Sequence, residues 1–333
     1  MRSGYINKKL LRWLLPVAIV ILSVFLLQAV FSQRTYHIRD ITPQDGVLDI
    51  RDADVSSCVL NIANEWDFYP EALYTSEDFA SGAAGVKAGP EESASDTPYG
   101  THRLRILAQP NQYYTICSFS LDYASRLFVN GSEVAAFGRV VDNAEDFVPQ
   151  VGYMTIPMFS GESGEIEIIY QNGNYVHKDG GYIQPTYLST PQNMEQFKAA
   201  NDLVSLSVSG GLLFLMLYFL LSAVVRRKAD FLCLAFCCLV MALRDQNFFN
   251  IHLLPADTSW YFAYRTFILI VMLMPVSILL LLKCMYAKAT KHWPLYAYLG
   301  MAAVVAVLIC VLPTQDIVTV STAAYYASIP YLL

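Results

Sequence analysis

LVSLSVSGGLLFLMLYFLLSAVV, residues Leu203 to Val225, runs without a single charged side chain and is followed at once by Arg226, Arg227 and Lys228. A helix needs roughly 20 mostly apolar residues to cross a hydrocarbon core about 30 Å thick. This run meets that length, and a basic cluster directly after it marks a cytoplasmic end. The chain therefore reads as an integral membrane protein, and the segments on either side can be placed relative to this one.

Toward the C-terminus the apolar runs repeat, separated by short loops. Spans are expected at 203–225, 231–249, 260–282, 294–312 and 317–333. Lys283, Lys288 and Lys291 follow the third of these, whereas the alternate loops, Gln246 to Ser259 and Pro313 to Asp316, carry no Lys or Arg. Toward the N-terminus, Arg2, Lys8, Lys9 and Arg12 flank another apolar run, Leu10 to Phe31. If each segment crosses once, every basic cluster falls on one side, which makes the N-terminus cytoplasmic and puts residues 33–200 outside the cell or in the periplasm. Trp13, Trp260 and Trp293 stand at predicted span ends, where an indole suits the interface. Leu10 to Phe31 is longer than a usual signal core, and Gln28 to Ser32 lacks the small-x-small cleavage pattern, so an uncleaved anchor is favoured over a signal peptide. Three parts result: a signal-anchor helix at 1–32, an outer domain at 33–200 and a helical core at 201–333.

Composition agrees with this division. The 333 residues are 55% hydrophobic and only 15% charged, too apolar for an ordinary soluble protein. Residues 32–202 hold 10 Lys and Arg against 24 Asp and Glu, net −14, while the remainder holds 12 against 4, net +8. So acidic an outer domain argues against a nucleic-acid partner. Five of the seven cysteines (Cys233, Cys237, Cys238, Cys284, Cys310) lie in or beside spans without metal-ligand spacing. Cys58 and Cys117 are the two in the outer domain; free buried thiols are favoured, with a disulfide as the alternative.

Between Gln33 and Asn201 the pattern changes to short alternating segments, which read as antiparallel β-structure. Strands are expected over Gly100 to Ala108, Tyr113 to Asp122, Arg126 to Phe137 and Gly164 to Gln171, and Glu165-Ile166-Glu167-Ile168 alternates wet and dry faces. Asn130-Gly131 between two apolar stretches signals a type I′ hairpin, whose central residues both need positive φ. Ala80 to Pro98, rich in Ala, Gly, Ser and Glu, reads as a mobile excursion.

Four motifs in order carry a resemblance: NEWDFYP at Asn64 to Pro70, GTHRLR at Gly100 to Arg105, RLFVNG at Arg126 to Gly131 and NYVHKDGG at Asn174 to Gly181. With RRKADF at Arg226 to Phe231 and the helix running on through Arg244, they resemble bacterial seven-transmembrane receptors with diverse intracellular signalling modules. The likeness extends over most of the chain from about residue 45. It implies a galactose-binding-like jelly-roll sandwich outside the cell that binds carbohydrates or other small molecules. It also implies a seven-helix core and then a cytoplasmic histidine kinase of the two-component type, a diguanylate cyclase or a similar output. With five spans after the outer domain, the chain is expected to stop short of that output.

Sugar recognition combines an aromatic face with a few polar groups that fix orientation. Trp66, Tyr69, Arg103, Asn174 and His177 are the candidate ligand contacts. For Trp66 and Tyr69 a packing role is the weightier reading; His177, beside the tight turn that Gly180 and Gly181 permit, is the best single contact. In the membrane half, Arg244, Asp245 and Arg265 are charges at or within spans, where ions are costly. Snorkelling to the outer interface is favoured over a buried Arg244–Asp245 pair. No phosphate loop, His-Glu-x-x-His, Gly-x-Ser-x-Gly or catalytic carboxylate cluster appears, and neither enzyme activity, cofactor nor metal is expected.

The first functional expectation is thus the sensory half of a transmembrane receptor, its partners a small-molecule or carbohydrate ligand and the lipid bilayer, with a homodimer left open. The alternative is a membrane-anchored carbohydrate-binding or envelope-assembly protein without output. Transport is disfavoured, because apart from Gly210, Gly211 and Pro275 the spans are uniformly apolar.

Overall fold

The computed structural model describes residues 37–332 except 64, 86, 89–96, 122, 151, 177–184, 246–247, 256–257 and 286–292. The expected N-terminal anchor, His177, Gly180 and Gly181 therefore lie outside the described residues.

Eleven strands are described: β1 His37–Asp40, β2 Val47–Asp49, β3 Cys58–Asn61, β4 Asp67–Pro70, β5 Tyr99–Leu107, β6 Tyr113–Leu121, β7 Ala124–Val129, β8 Ser132–Phe137, β9 Gly152–Phe159, β10 Glu165–Gly173 and β11 Thr186–Ser189. They form one sheet in the order β1-β3-β11-β6-β9 and a second in the order β2-β5-β10-β7-β8, with β4 also on β5. β5 is long enough for two neighbours on one edge: β2 pairs its last residues, Arg105 to Leu107, and β4 its first part, Gly100 to Arg103.

Period-2 alternation explains the sandwich. Leu104 and Ile106 of β5, with Ile166 and Ile168 of β10, are essentially inaccessible and meet Leu60, Ile116, Met158 and Leu188 of the first sheet. Strand direction differs from the expectation. Both sheets are mixed, since β1 runs parallel to β3 and β2 parallel to β5. The physical reason is that the chain passes from β1 in one sheet to β2 in the other and back to β3, so no hairpin forces an antiparallel return.

Between β7 and β8, Asn130 and Gly131 have φ of 48° and 82°, and the Asn130 Oδ1 accepts the Glu167 N–H at 2.8 Å. In the expected mobile excursion, the described part is tied down. A short helix, α1 (Ser76–Ser81), precedes a stretch in which Lys87 reaches Asp67 at 2.9 Å and the Ala88 N–H donates to the Phe68 carbonyl at 2.7 Å. Six residues are too few to show a helical period.

Cys58 and Cys117 are both free. Cys58 faces the sandwich core, whereas Cys117 lies on the other side of the same sheet, where burial pushes its thiol pKa up.

Five longer helices follow: α2 Pro191–Arg226, α3 Ala229–Leu243, α4 Trp260–Met285, α5 Trp293–Val311 and α6 Thr314–Leu332, with a π-helical turn at Phe248–Leu253. Two of them, α2 and α4, are long and apolar enough to cross a membrane; α3 and the Leu295–Val311 stretch are apolar but shorter. The expected span at 231–249 is thus cut at Leu243. There Asp245 Oδ1 accepts the Phe248 N–H at 3.1 Å and starts the π-helical turn.

α2 joins the two halves of the molecule. Thr190 caps it through the Asn193 N–H, Pro191 opens it, and the Asn193 side chain donates to the Ser56 carbonyl at 2.5 Å. Its first turns bury Met194 and Phe197 against Val59, Cys117 and Tyr187 on the outer face of the first sheet. The same helix then continues unbroken through Leu203 to Val225, 36 residues in all and about 54 Å long. Small residues let α3 come close: Ser205 Oγ donates to Asp245 Oδ2 at 2.9 Å and Ser209 Oγ to the Ala242 carbonyl at 3.4 Å.

Candidate functional site

The outer face of the second sheet gathers the polar and aromatic side chains best suited to a ligand. Register places Asp67, Arg103, Ile169 and Phe128 in one outward row across β4, β5, β10 and β7, and Tyr69, Thr101, Gln171 and Arg126 in the next. Their strand neighbours Leu104, Ile168 and Val129 point into the core, so alternation aims these rows away from it.

Residues 72–81 cross over the second row. Thr101 Oγ1 accepts the Tyr74 N–H at 2.9 Å and donates to the Ala72 carbonyl at 2.7 Å, and the Gln171 Nε2 donates to the Tyr74 carbonyl at 2.9 Å. This crossing sets three rings edge to face: Tyr69 and Phe79 are 5.1 Å apart between centroids, Tyr74 and Phe79 5.7 Å. Arg103 stands 4.3 Å from the Phe79 centroid. Its Nε and Nη2 both donate to Glu167 Oε1, at 2.8 and 2.6 Å. Burial pushes the Tyr69 phenol pKa up. Beside this group, Arg126 pairs with Glu133 at 2.5 Å and lies 5.1 Å from the Phe128 ring centroid.

Two buried polar atoms along this crossing, Gln171 Oε1 and Ser76 Oγ, have no hydrogen-bond partner among the described residues. Burying a polar atom unsatisfied costs about 1–3 kcal/mol, which a ligand hydroxyl reaching it would relieve. Aromatic rings, fixed Arg–carboxylate pairs and a vacant amide oxygen together suit a neutral, hydroxyl-rich molecule. Among the described residues no group of three His, Cys, Asp or Glu side chains is placed to hold a metal.

Of the residues singled out from sequence, Tyr69 and Arg103 come together here. Trp66 does not: it is 8% exposed in the sandwich core, and its Nε1 donates to the Ile62 carbonyl at 2.6 Å. Asn174 lies three residues beyond Gln171, about 10 Å along the strand direction, where its Oδ1 accepts the Val176 N–H at 3.2 Å and shapes a turn. Beside it Tyr99, Phe147 and Tyr175 form a separate aromatic group. Sequence reading missed Tyr74, Phe79, Glu167, Gln171 and Arg126. The alternation around Glu167 was a usable signal for its outward side; the excursion offered none for Phe79.

Acid should loosen the crossing. Asp78 accepts the Thr75 N–H and hydroxyl, each at 2.8 Å, and these bonds, the backbone one foremost, lower its carboxyl pKa. A carboxyl with a depressed folded-state pKa stabilises fully above its unfolded value of about 3.9, and that contribution fades as pH falls through the folded value. Hydrogen exchange of residues 76–85 is expected to accelerate as pH drops below about 4 beyond its intrinsic pH dependence. Asp78→Asn should exchange fast throughout; an unchanged pH profile in that variant would show that Asp78 is not the responsible group.

The membrane-half charges separate. Asp245 is held by Ser205, and no ion pair joins it to Arg244 among the described residues. Arg265 donates to the carbonyls of Cys310 and Leu312 at 2.7 and 3.2 Å, at the α5 C-terminus where a cation suits the helix dipole.

No family model matches the chain, and no curated protein matches it. Among solved structures, it is similar to a GH2 beta-galacturonidase from Eisenbergiella tayi bound to galacturonate at 9% identity and a TM-score of 0.24, over 38% of this chain and 23% of that one. It is likewise similar to a "putative beta-galactosidase" from Bacteroides fragilis at 15% identity and a TM-score of 0.24, over 39% of this chain and 22% of that one. The chain thus spans less than a quarter of either protein's length, and likeness this slight informs neither fold nor function.

Proposed function

We propose that this chain is the sensory half of a multi-pass bacterial membrane receptor. Its galactose-binding-like jelly roll lies outside the cytoplasm, takes a carbohydrate or other small hydroxyl-rich ligand, and biases the helical core toward a cytoplasmic output. The observation that carries the reading is α2: one uninterrupted helix packs Met194 and Phe197 on the sandwich and supplies the Leu203 to Val225 apolar run. A ligand on the second sheet would act across the shared sandwich core on the first sheet, from which α2 runs as a stiff path to the other face of the bilayer. The basic clusters at Arg226 to Lys228 and at Lys283 support a cytoplasmic inner end.

The Tyr69, Phe79 and Arg103 face supports the ligand class. A glycan array probed with the whole chain in nanodiscs should find saturable binding that Arg103→Ala abolishes. The bound glycan should also slow hydrogen exchange in residues 191–226. Binding that leaves α2 unchanged would favour a tethered carbohydrate-binding protein; no binding at all would remove the ligand assignment.

A further inference from the structure

α3 is 15 residues long, about 22 Å, and falls some 8 Å short of a hydrocarbon core about 30 Å thick. If its basic N-terminal flank at Lys228 marks the inner interface, Arg244 at its C-terminal end lies within the outer part of the apolar layer. The Arg244 guanidinium has no hydrogen-bond or ion-pair partner among the described residues, whereas Asp245 is held by the Ser205 hydroxyl and Arg265 by two backbone carbonyls. An unpaired cation at such depth is costly, and cations there usually face a cavity or a partner.

Arg244 lines a cavity of about 610 Å³ between α3, α4 and α6. Phe267, Val271 and Met272 form its apolar wall from α4, and Ser321 and Tyr326 line it from α6. These residues lie 7 to 12 positions in from the outer ends of their helices, Trp260 and Thr314, so the cavity lies on the order of 10–18 Å below the surface. One end is cationic with hydroxyls nearby; the rest is apolar, with a methionine able to adapt to a flexible chain. The volume falls within the roughly 300–1,000 Å³ of small-ligand sites and suits one acyl chain better than a two-chained lipid.

We propose that this intramembrane cavity binds a single-chain amphiphile with an anionic head, of the long-chain carboxylate class, with Arg244 receiving the carboxylate and the α4 wall the chain. The proposal rests on the membrane-spanning reading of α3, α4 and α6, and is separate from any ligand of the outer sandwich. An amphiphile so placed would join three helices and offers the core a second input from the bilayer.

The test uses the whole chain in nanodiscs and a photoactivatable C16 carboxylate, with labelled peptides identified by mass spectrometry. Saturable labelling of the segments around Met272 and Ser321 is expected, weakened about tenfold or more when the methyl ester replaces the acid or when Arg244→Gln removes the charge. Arg244→Lys should retain part of it. Met272→Trp, which fills the apolar wall and leaves the head site intact, should also weaken labelling while the elution profile stays that of the wild type. Competition by a single-chain phosphate lipid at least as strong as by the carboxylate would keep the anionic site and overturn the carboxylate assignment. Unsaturable labelling, or equal labelling by acid and methyl ester in the wild-type chain, would overturn the proposal even if Arg244→Gln fails to fold. Carbonate extraction scores membrane insertion separately, so absence of labelling in an inserted wild-type chain counts against the cavity alone.

Discussion

Trp66→Ala is expected to destabilise the sandwich by about 3–5 kcal/mol, the usual cost of deleting a large buried aromatic side chain. Trp66 packs in the principal core cluster, and its indole N–H bonds the Ile62 carbonyl at 2.6 Å, so truncation opens a cavity and strands a buried acceptor. Against a typical total of about 5–15 kcal/mol, that loss is a third or more of the stability of most domains and removes nearly all of it at the low end of the range. Trp66→Phe keeps most of the volume and forfeits the hydrogen bond, so it should cost less, about 1–3 kcal/mol. Pulse proteolysis in urea on nanodisc-embedded chain measures both. A loss under about 1 kcal/mol for Trp66→Ala would move the side chain out of the core and restore it as a ligand contact.

The second large effect is expected at the junction. Ala200 lies inside α2 where the helix leaves the sheet, partly packed against Val59, Cys117, Met194 and Phe197. Ala200→Pro removes the bond from its N–H to the Gln196 carbonyl and clashes with the preceding turn, at about 3 kcal/mol or more. Both flanking parts keep their own packing, so the expected result is a kinked or hinged α2 rather than a collapsed protein. Spin labels on the exposed Glu133 of β8 and on Arg226 at the C-terminal end of α2 read this directly. The wild type should give one narrow distance distribution, Ala200→Leu should keep it, and Ala200→Pro should broaden and shift it. If the proline variant stays narrow, α2 is not the rigid connection, and the receptor reading loses its main support.

Legibility from sequence varied with the range of the interaction. Asn130-Gly131 was readable because a type I′ turn is decided by two residues' access to positive φ. The faces of β5 and β10 were readable because alternation along a single strand sorts Leu104 and Ile168 from Arg103 and Glu167. Trp66 was half readable: its size pointed to a core, and only its place in the cluster excluded it from the ligand face. Phe79 was not readable, since a six-residue helix in an Ala- and Gly-rich stretch has no periodicity to betray it.

By itself, then, the sequence determined where water and lipid are tolerated: the apolar runs, the acidic segment, the wet and dry sides of each strand and the tight turn. Those follow from the transfer free energy of side chains and from backbone sterics, which act within a few residues. The tertiary structure decided which strands run parallel, that Arg103 meets Phe79 and Glu167 rather than Asn174, and that α2 belongs to both halves. It also decided that a shortened α3 leaves Arg244 beside a cavity. These depend on closing loops tens of residues long between surfaces that many partners could satisfy, and only simultaneous packing of both sheets and all the helices selects among them.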